Sequence, residues 1–309
     1  MPIITIQDEG TQALTPQKNI DTSNYPFTLN AVIGCLFGCS YCYLQGFPFN
    51  QHTDFGKEIK LKGWLPERLD TELERKSNLP QHLKRVQVNS ATEGYLPQAI
   101  YAFETETGRN LMREILQVFQ KHWENGNRWM VHLLTKSHLI RRDVDLITEM
   151  RNQVQIELTI TTLDEDRVRL LEGTAPTVAK RLQLIEDFAA QGIFVRAMCM
   201  PFIGNESDAE TVRSTILNHG ARGFKHKGMN YWNPEELLRG NKVRSGGKAD
   251  LIFENLLLKS GEPFTGKGFE DPTPQEMPLG STSELVLKSM YHIDFGYQEL
   301  NNVNWGYIH

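Results

Sequence analysis

Cysteine is scarce in this chain, with four in 309 residues. A scaffold stapled by disulfides would need paired cysteines, so that class is excluded. Long apolar runs are missing, and with them any candidate for a membrane-spanning helix. The stretch from Met1 to Gly10 lacks a basic region followed by an apolar core, so no signal peptide is expected. A positive excess is missing too: the net charge is -5. That argues against tight, non-specific DNA binding by the surface as a whole, which leans on Lys and Arg contacts to phosphate. These absences together predict a cytoplasmic protein with no membrane partner. The rest is ordinary globular composition, 39% hydrophobic. The length suffices for one large barrel or two smaller domains.

The polar residues 1–26, with Pro16 and Pro26, read as a mostly irregular arm. Strands are expected at Phe27 to Ile33, Arg85 to Asn89, Trp129 to Thr135, Gln155 to Thr162, Ile193 to Met200 and Gly223 to Lys227. Helices are expected at Pro66 to Leu79, Asn110 to Glu124, Asp143 to Arg151 and Pro176 to Gln191. A further helix should open at the capping box Ser207-Asp208-Ala209-Glu210 and run to about Asn218. Residues from Gln45 to Gly63 and from Ser260 to Gly280 read as loops. Strands alternating with helices imply a parallel sheet. The expected fold is α/β, a partial (β/α)6 barrel over 27–228, with an N-terminal arm (1–26) and a C-terminal extension (229–309). Ligands of such a barrel gather at the C-terminal ends of its strands.

Three of the four cysteines fall in one run, Gly34-Cys35-Leu36-Phe37-Gly38-Cys39-Ser40-Tyr41-Cys42-Tyr43. Three thiolates on one tight loop can hold three irons of a [4Fe-4S] cluster and leave the fourth iron open. The alternative, a zinc site, usually takes four ligands.

This C-x3-C-x2-C run, with Tyr41 before its last cysteine, resembles the radical S-adenosylmethionine (SAM) superfamily. The resemblance implies that the open iron binds the amino and carboxylate groups of SAM. It further implies that one electron from the cluster yields a 5′-deoxyadenosyl radical, which abstracts hydrogen from a substrate. An electron donor such as flavodoxin or ferredoxin would be the partner. Further segments are similar to the spore photoproduct lyase-like branch, often labelled DNA repair photolyase. They are Cys39 to Gln45, Leu134-Thr135-Lys136-Ser137 with Arg142-Asp143, Thr161-Thr162-Leu163, Leu171-Glu172 with Ala175-Pro176 and Arg181, and Met200 to Asn205. The likeness covers about residues 27–220. One departure matters. True lyases of that branch carry a hydrogen-donor cysteine just after the second strand, and Asn89 to Tyr95 contains none. Efficient repair of the spore photoproduct is therefore not expected.

The resemblance assigns Cys35, Cys39 and Cys42 to the cluster and places Tyr41 against the adenine. Thr92, Glu93 and Gly94 occupy the place of the superfamily's glycine-rich segment, where a Glu can accept from the methionine ammonium. Lys136, at the end of the third strand, is a candidate for the methionine carboxylate. Period-2 alternation puts Glu157, Thr159 and Thr161 on the face opposite Ile156, Leu158 and Ile160. The polar set should face the lumen, so Thr159 and Thr161 are candidates for ribose or methionine contacts. Arg196 is either a lumen residue for SAM or substrate, or a partner for a carboxylate such as Glu157. Cys199 is either a small buried hydrophobe or a hydrogen-atom donor at the barrel mouth. His132, His226 and His292 show no metal spacing and read as structural or substrate-facing.

Residues 222–248 hold seven basic against two acidic side chains, a local +5, with Tyr231 and Trp232 among them. Basic residues with stacking aromatics can grip single-stranded nucleic acid. The expected function is a radical SAM enzyme of unknown substrate, with a nucleic acid or nucleotide favoured over a peptide or small metabolite. The competing class is a non-enzymatic Fe–S redox or sensing protein on the same barrel.

Overall fold

A computed structural model describes residues 2–17, 25–39, 42, 56–199 and 206–226. Tyr41, Tyr231, Trp232, His292, the Ser260 to Gly280 loop and the extension 229–309 lie outside the described residues.

The main sheet is built from strands β2 (Thr15–Pro16), β3 (Phe27–Leu29), β6 (Arg85–Val88), β7 (Met130–Thr135), β8 (Val154–Thr159), β9 (Phe194–Cys199) and β10 (Gly223–His226). Its order is β10-β9-β8-β7-β6-β3-β2. The pairings from β3 to β10 are all parallel. These are the six expected barrel strands, each beside the next in sequence, with β2 added antiparallel at one edge. Among the described residues the sheet ends at β10 and β2, the arrangement of a partial barrel.

Parallel strands are covered on both faces, and β8 and β9 are buried along their whole length. Their two faces differ in chemistry. Val131, Leu133, Ile156, Leu158, Val195 and Ala197 are fully or almost fully buried on the apolar side. His132, Gln155, Glu157, Thr159 and Arg196 alternate with them on the lumen side.

Between strands run helices α1 (Leu65–Arg75), α2 (Pro97–Thr107), α3 (Leu111–Glu124), α4 (Val144–Glu149), α5 (Glu165–Leu171), α6 (Val178–Ala190) and α7 (Glu206–Asn218). The pattern behind α3 is plain: Leu111, Met112, Ile115, Leu116 and Phe119 form its buried stripe. Its N-cap is Asn110, whose side chain accepts from the Arg113 amide. Thr177 caps α6 in the same way, accepting from the Lys180 amide.

The structure differs from the sequence reading in three places. The arm carries a strand of its own: β1 (Ile3–Gln7) pairs in parallel with β5 (Glu58–Lys62), which lies inside the 45–63 stretch expected to be loop. Glu72 on α1 ties the arm down further, accepting from the amides of Ala13 at 2.8 Å and Leu14 at 3.1 Å. The expected first strand is broken in two, because β4 (Val32–Ile33) leaves the barrel to pair antiparallel with β5. Asn30 marks the break, its Oδ1 accepting from the Ala91 amide at 2.8 Å. Helices α2 and α5 have no counterpart in the sequence reading. Among the described residues no helix is long and apolar enough to cross a membrane.

Candidate cluster and SAM site

Three chain segments converge at the C-terminal mouth of the barrel. The first is the cysteine loop after β4. Gly34 turns it with φ +83°, and a side chain there would meet the Glu58 carbonyl at 2.6 Å. Cys35 and Cys42 are half-buried, Cys39 is buried, and none of the three is in a disulfide. Burial pushes the Cys35 thiol well above its ordinary range, and the charges of Cys39, Cys42 and Glu93 push it further. The Cys39 thiol is also raised by burial, with Lys136 pulling the other way.

The second segment follows β6. Thr92 Oγ1 donates to the Gly34 carbonyl at 2.6 Å, joining this segment to the cysteine loop. Glu93 is 3% exposed. It accepts from the Tyr95 amide at 2.9 Å, the Thr135 hydroxyl at 2.8 Å and the Lys136 amide at 2.8 Å. Burial nevertheless holds its carboxyl above the usual range. Three accepted bonds fix the carboxylate, while a carboxylate has about four accepting positions. A side chain at Gly94 would meet Met112 Sδ at 2.4 Å and Asn89 Nδ2 at 2.6 Å, so both neighbours would have to shift to admit it.

The third segment follows β8. Gly173 adopts φ +57°, and its Cβ position lies 2.1 Å from the Phe37 carbonyl, so only glycine allows this approach to the cysteine loop. Thr174 completes the clamp. Its amide donates to the Phe37 carbonyl at 3.3 Å and its hydroxyl to the Leu36 carbonyl at 3.4 Å. Beside it, the Glu172 carboxylate is fully buried. It takes the Thr161 hydroxyl at 2.7 Å, a bond from Arg181, and the Lys136 ammonium at 3.4 Å.

Lys136 thus bridges β7 to both other segments, with its Nζ also 3.3 Å from Cys39 Sγ. Burial disfavours its charge, but Cys39 and Glu172 outweigh burial and raise its pKa. Thr159 lies on the same face of β8 and is buried. Arg196 lies deeper. Of the two roles open to it, pairing with Glu157 is the one seen, and Tyr25 joins the pair. The Tyr25 hydroxyl donates to Glu157 at 2.5 Å, and Arg196 lies 3.0 Å from the Tyr25 oxygen. Gln87 donates to the other Glu157 oxygen at 3.0 Å. Cys199 shares its side of β9 with Val195 and Ala197, away from the lumen. It is fully buried, with its thiol on the Ile160 carbonyl. His132 is buried in the lumen, edge-on to Tyr25 at 4.8 Å.

Tyr25, Gln87, Glu172 and Arg181 are not among the sequence candidates. Glu172 and Arg181 stand out in the sequence only within a resemblance, since their pairing depends on how α5 and α6 pack.

Among the described residues, no three His, Cys, Asp or Glu side chains form a group that would hold a single metal ion. A zinc ion draws its thiolates to one point. A four-iron cluster takes one thiolate per iron, so its thiolates stand apart. Three thiols on one loop, none in a disulfide and one with a lysine beside it, fit a cluster.

The radical SAM superfamily model matches residues 29–215. The chain belongs to the radical SAM superfamily. An uncharacterized protein, ORF301, of Acidianus two-tailed virus is 24% identical over 197 residues, 62% of this chain and 60% of that relative. Uncharacterized protein MJ0683 of Methanocaldococcus jannaschii is 25% identical over 201 residues, 63% of this chain and 69% of that protein. The match to the viral relative therefore spans less than two thirds of its length. Among solved structures, spore photoproduct lyase complexed with dinucleoside spore photoproduct shares the fold. The TM-score is 0.53 at 10% identity, over 72% of this chain and 60% of that one. In this radical SAM chain, residues 29–215 take in four of the six barrel strands whole (β6 to β9), the last residue of β3, and all of the mouth just described.

Proposed function

We propose that this protein is a radical SAM enzyme whose cluster is held by Cys35, Cys39 and Cys42. The observation that carries the reading is the convergence of these thiols with Glu93 and Lys136 at one barrel mouth. When bound, the cluster supplies the electron that cleaves SAM to methionine and a 5′-deoxyadenosyl radical, which takes hydrogen from the substrate. The chain's own residues bind and orient. Glu93, fixed by three donors, accepts from the methionine ammonium, with Thr92 and Gly94 shaping the approach. Lys136 meets the methionine carboxylate. Thr159 and Thr161 lie on the lumen face for the ribose or methionine, and Tyr41 is assigned to the adenine. Arg196, held by Glu157 and Tyr25, acts on SAM or substrate only through the shape and charge of the lumen floor. Cys199 has no direct part in the chemistry. The electron comes from a one-electron donor such as flavodoxin or ferredoxin. A reducing, cytoplasmic setting suits free thiols and such a cluster.

The test is 5′-deoxyadenosine formation by anaerobically reconstituted, dithionite-reduced protein. Cluster uptake without any SAM cleavage would leave the redox or sensing reading instead. Lys136→Ala should weaken SAM binding by about 1.5–3 kcal/mol, the worth of a bond to a charged group, with iron content unchanged. Equilibrium binding of SAM measures this, and wild-type affinity would show that Lys136 points elsewhere.

For the substrate we favour a nucleic acid or nucleotide over a peptide or small metabolite, on the basic, aromatic segment 222–248. Binding of single-stranded oligonucleotides should then fall steeply with salt, because phosphate contacts release counterions. Lys242→Glu with Arg244→Glu should lose that binding while SAM cleavage without substrate persists. A titration at low salt that finds no binding to single- or double-stranded oligonucleotides would move the substrate to the peptide or small-molecule class.

A further inference from the structure

Lys136 touches more than the place assigned to a carboxylate. Its Nζ lies 3.3 Å from Cys39 Sγ and 3.4 Å from Glu172 Oε1. Its side chain is only 13% exposed. Glu172 cannot follow the lysine about, because it is pinned by Thr161 on one oxygen and by Arg181 on the other. The backbone beside it is locked to the cysteine loop at Phe37. A fixed, buried anion therefore holds a buried ammonium against the Cys39 sulfur.

We propose that Lys136 sets the reduction potential of the cluster through its bond to the Cys39 sulfur, and that Glu172 is the positioning residue that keeps it there. The inference rests on the reading that Cys39 ligates a cluster. Reduction adds one electron, delivered by a one-electron donor such as a ferredoxin or flavodoxin, and breaks no bond. The added negative charge is spread partly onto the ligand sulfurs. An N–H donated to one of those sulfurs stabilises the reduced form more than the oxidised form. The positive charge of the ammonium acts in the same direction, and burial strengthens it. The potential is therefore higher with Lys136 in place than without it. SAM binding and cluster potential then share one side chain.

The experiment is a redox titration of the reconstituted protein without SAM, followed by the electron paramagnetic resonance signal of the reduced cluster. Lys136→Met should shift the midpoint to more negative potential by at least about tenfold in the reduction equilibrium, which is ~59 mV for one electron. Lys136→Arg keeps a charged donor and should titrate near the wild type. Glu172→Asp keeps the charge but draws the carboxylate back by one methylene. Its midpoint should fall toward that of Lys136→Met if Glu172 positions the lysine. An unchanged midpoint in Glu172→Asp would overturn the positioning role. A Lys136→Met midpoint equal to that of the wild type overturns the whole inference, even where the wild type cleaves SAM normally. A wild-type chain that takes up no cluster overturns both this inference and the functional reading beneath it.

Discussion

Replacing Cys35, Cys39 or Cys42 by alanine, one at a time, is expected to abolish SAM cleavage. Each thiolate holds a different iron, so no remaining cysteine of the loop can take over. The fourth cysteine cannot substitute either, because Cys199 is fully buried on the side of β9 away from the lumen. Iron after anaerobic reconstitution should fall from about four per chain, the content of one [4Fe-4S] cluster. Cys199→Ala is the matched control and should keep both iron and cleavage. The loop itself should persist in all three variants, since it is held by the Thr92, Gly173 and Thr174 contacts rather than by sulfur. Circular dichroism and iron analysis separate loss of cluster from loss of fold. Full 5′-deoxyadenosine production by any one of the three loop variants would sink the assignment.

The barrel is legible in the sequence because its strands advertise themselves twice. Each is a short run rich in apolar residues, and in β8 the polar residues Gln155, Glu157 and Thr159 recur at every second position. That period alone places Glu157, Thr159 and Thr161 on one face, and Arg196 between apolar neighbours has pairing with Glu157 as one of its two options. The six parallel strands and the cysteine loop at their mouth agree with that reading. The arm is not legible for a physical reason. The strand Ile3–Gln7 gains its partner from Glu58–Lys62, more than fifty residues away, in a stretch whose glycines read as loop. The break between β3 and β4 is hidden because Ala31, Val32 and Ile33 carry on the strand-like pattern of Phe27 to Leu29 past Asn30. Helix α5 escapes the sequence reading because it is short, although Asp164 caps it by accepting from the amides of Asp166 and Arg167. The buried ion pair of Glu172 and Arg181 has no sequence signature. The two residues are nine positions apart, and a turn joins the helices that carry them.

That ion pair carries the second large expected effect. Arg181 is fully buried and spends its guanidinium on Glu172, on the Thr159 carbonyl at 3.2 Å and on the Pro176 carbonyl at 2.6 and 2.9 Å. Arg181→Met keeps an apolar stem of similar length but leaves those carbonyls short of a donor and Glu172 short of its main counter-charge. Breaking one side of a buried pair costs about 3–5 kcal/mol. For a chain of this size that corresponds to a melting temperature lower by on the order of 10 °C. The damage should reach the site as well as the fold. Glu172 is continuous with Gly173 and Thr174, which clamp Leu36 and Phe37 of the cysteine loop. Reconstituted iron should therefore fall in parallel with stability. The double variant Arg181→Met with Glu172→Gln removes the stranded carboxylate and should recover part of the lost stability, since neutral replacement of a buried pair is far less costly than halving it. Thermal melts of the two variants beside the wild type measure both effects. Arg181→Met melting within about 2 °C of the wild type, less than ~1 kcal/mol by the same scaling, would show that the pair bears none of the weight assigned to it. A double variant no better than the single one would trace the loss to the unsatisfied carbonyls instead of the uncompensated charge.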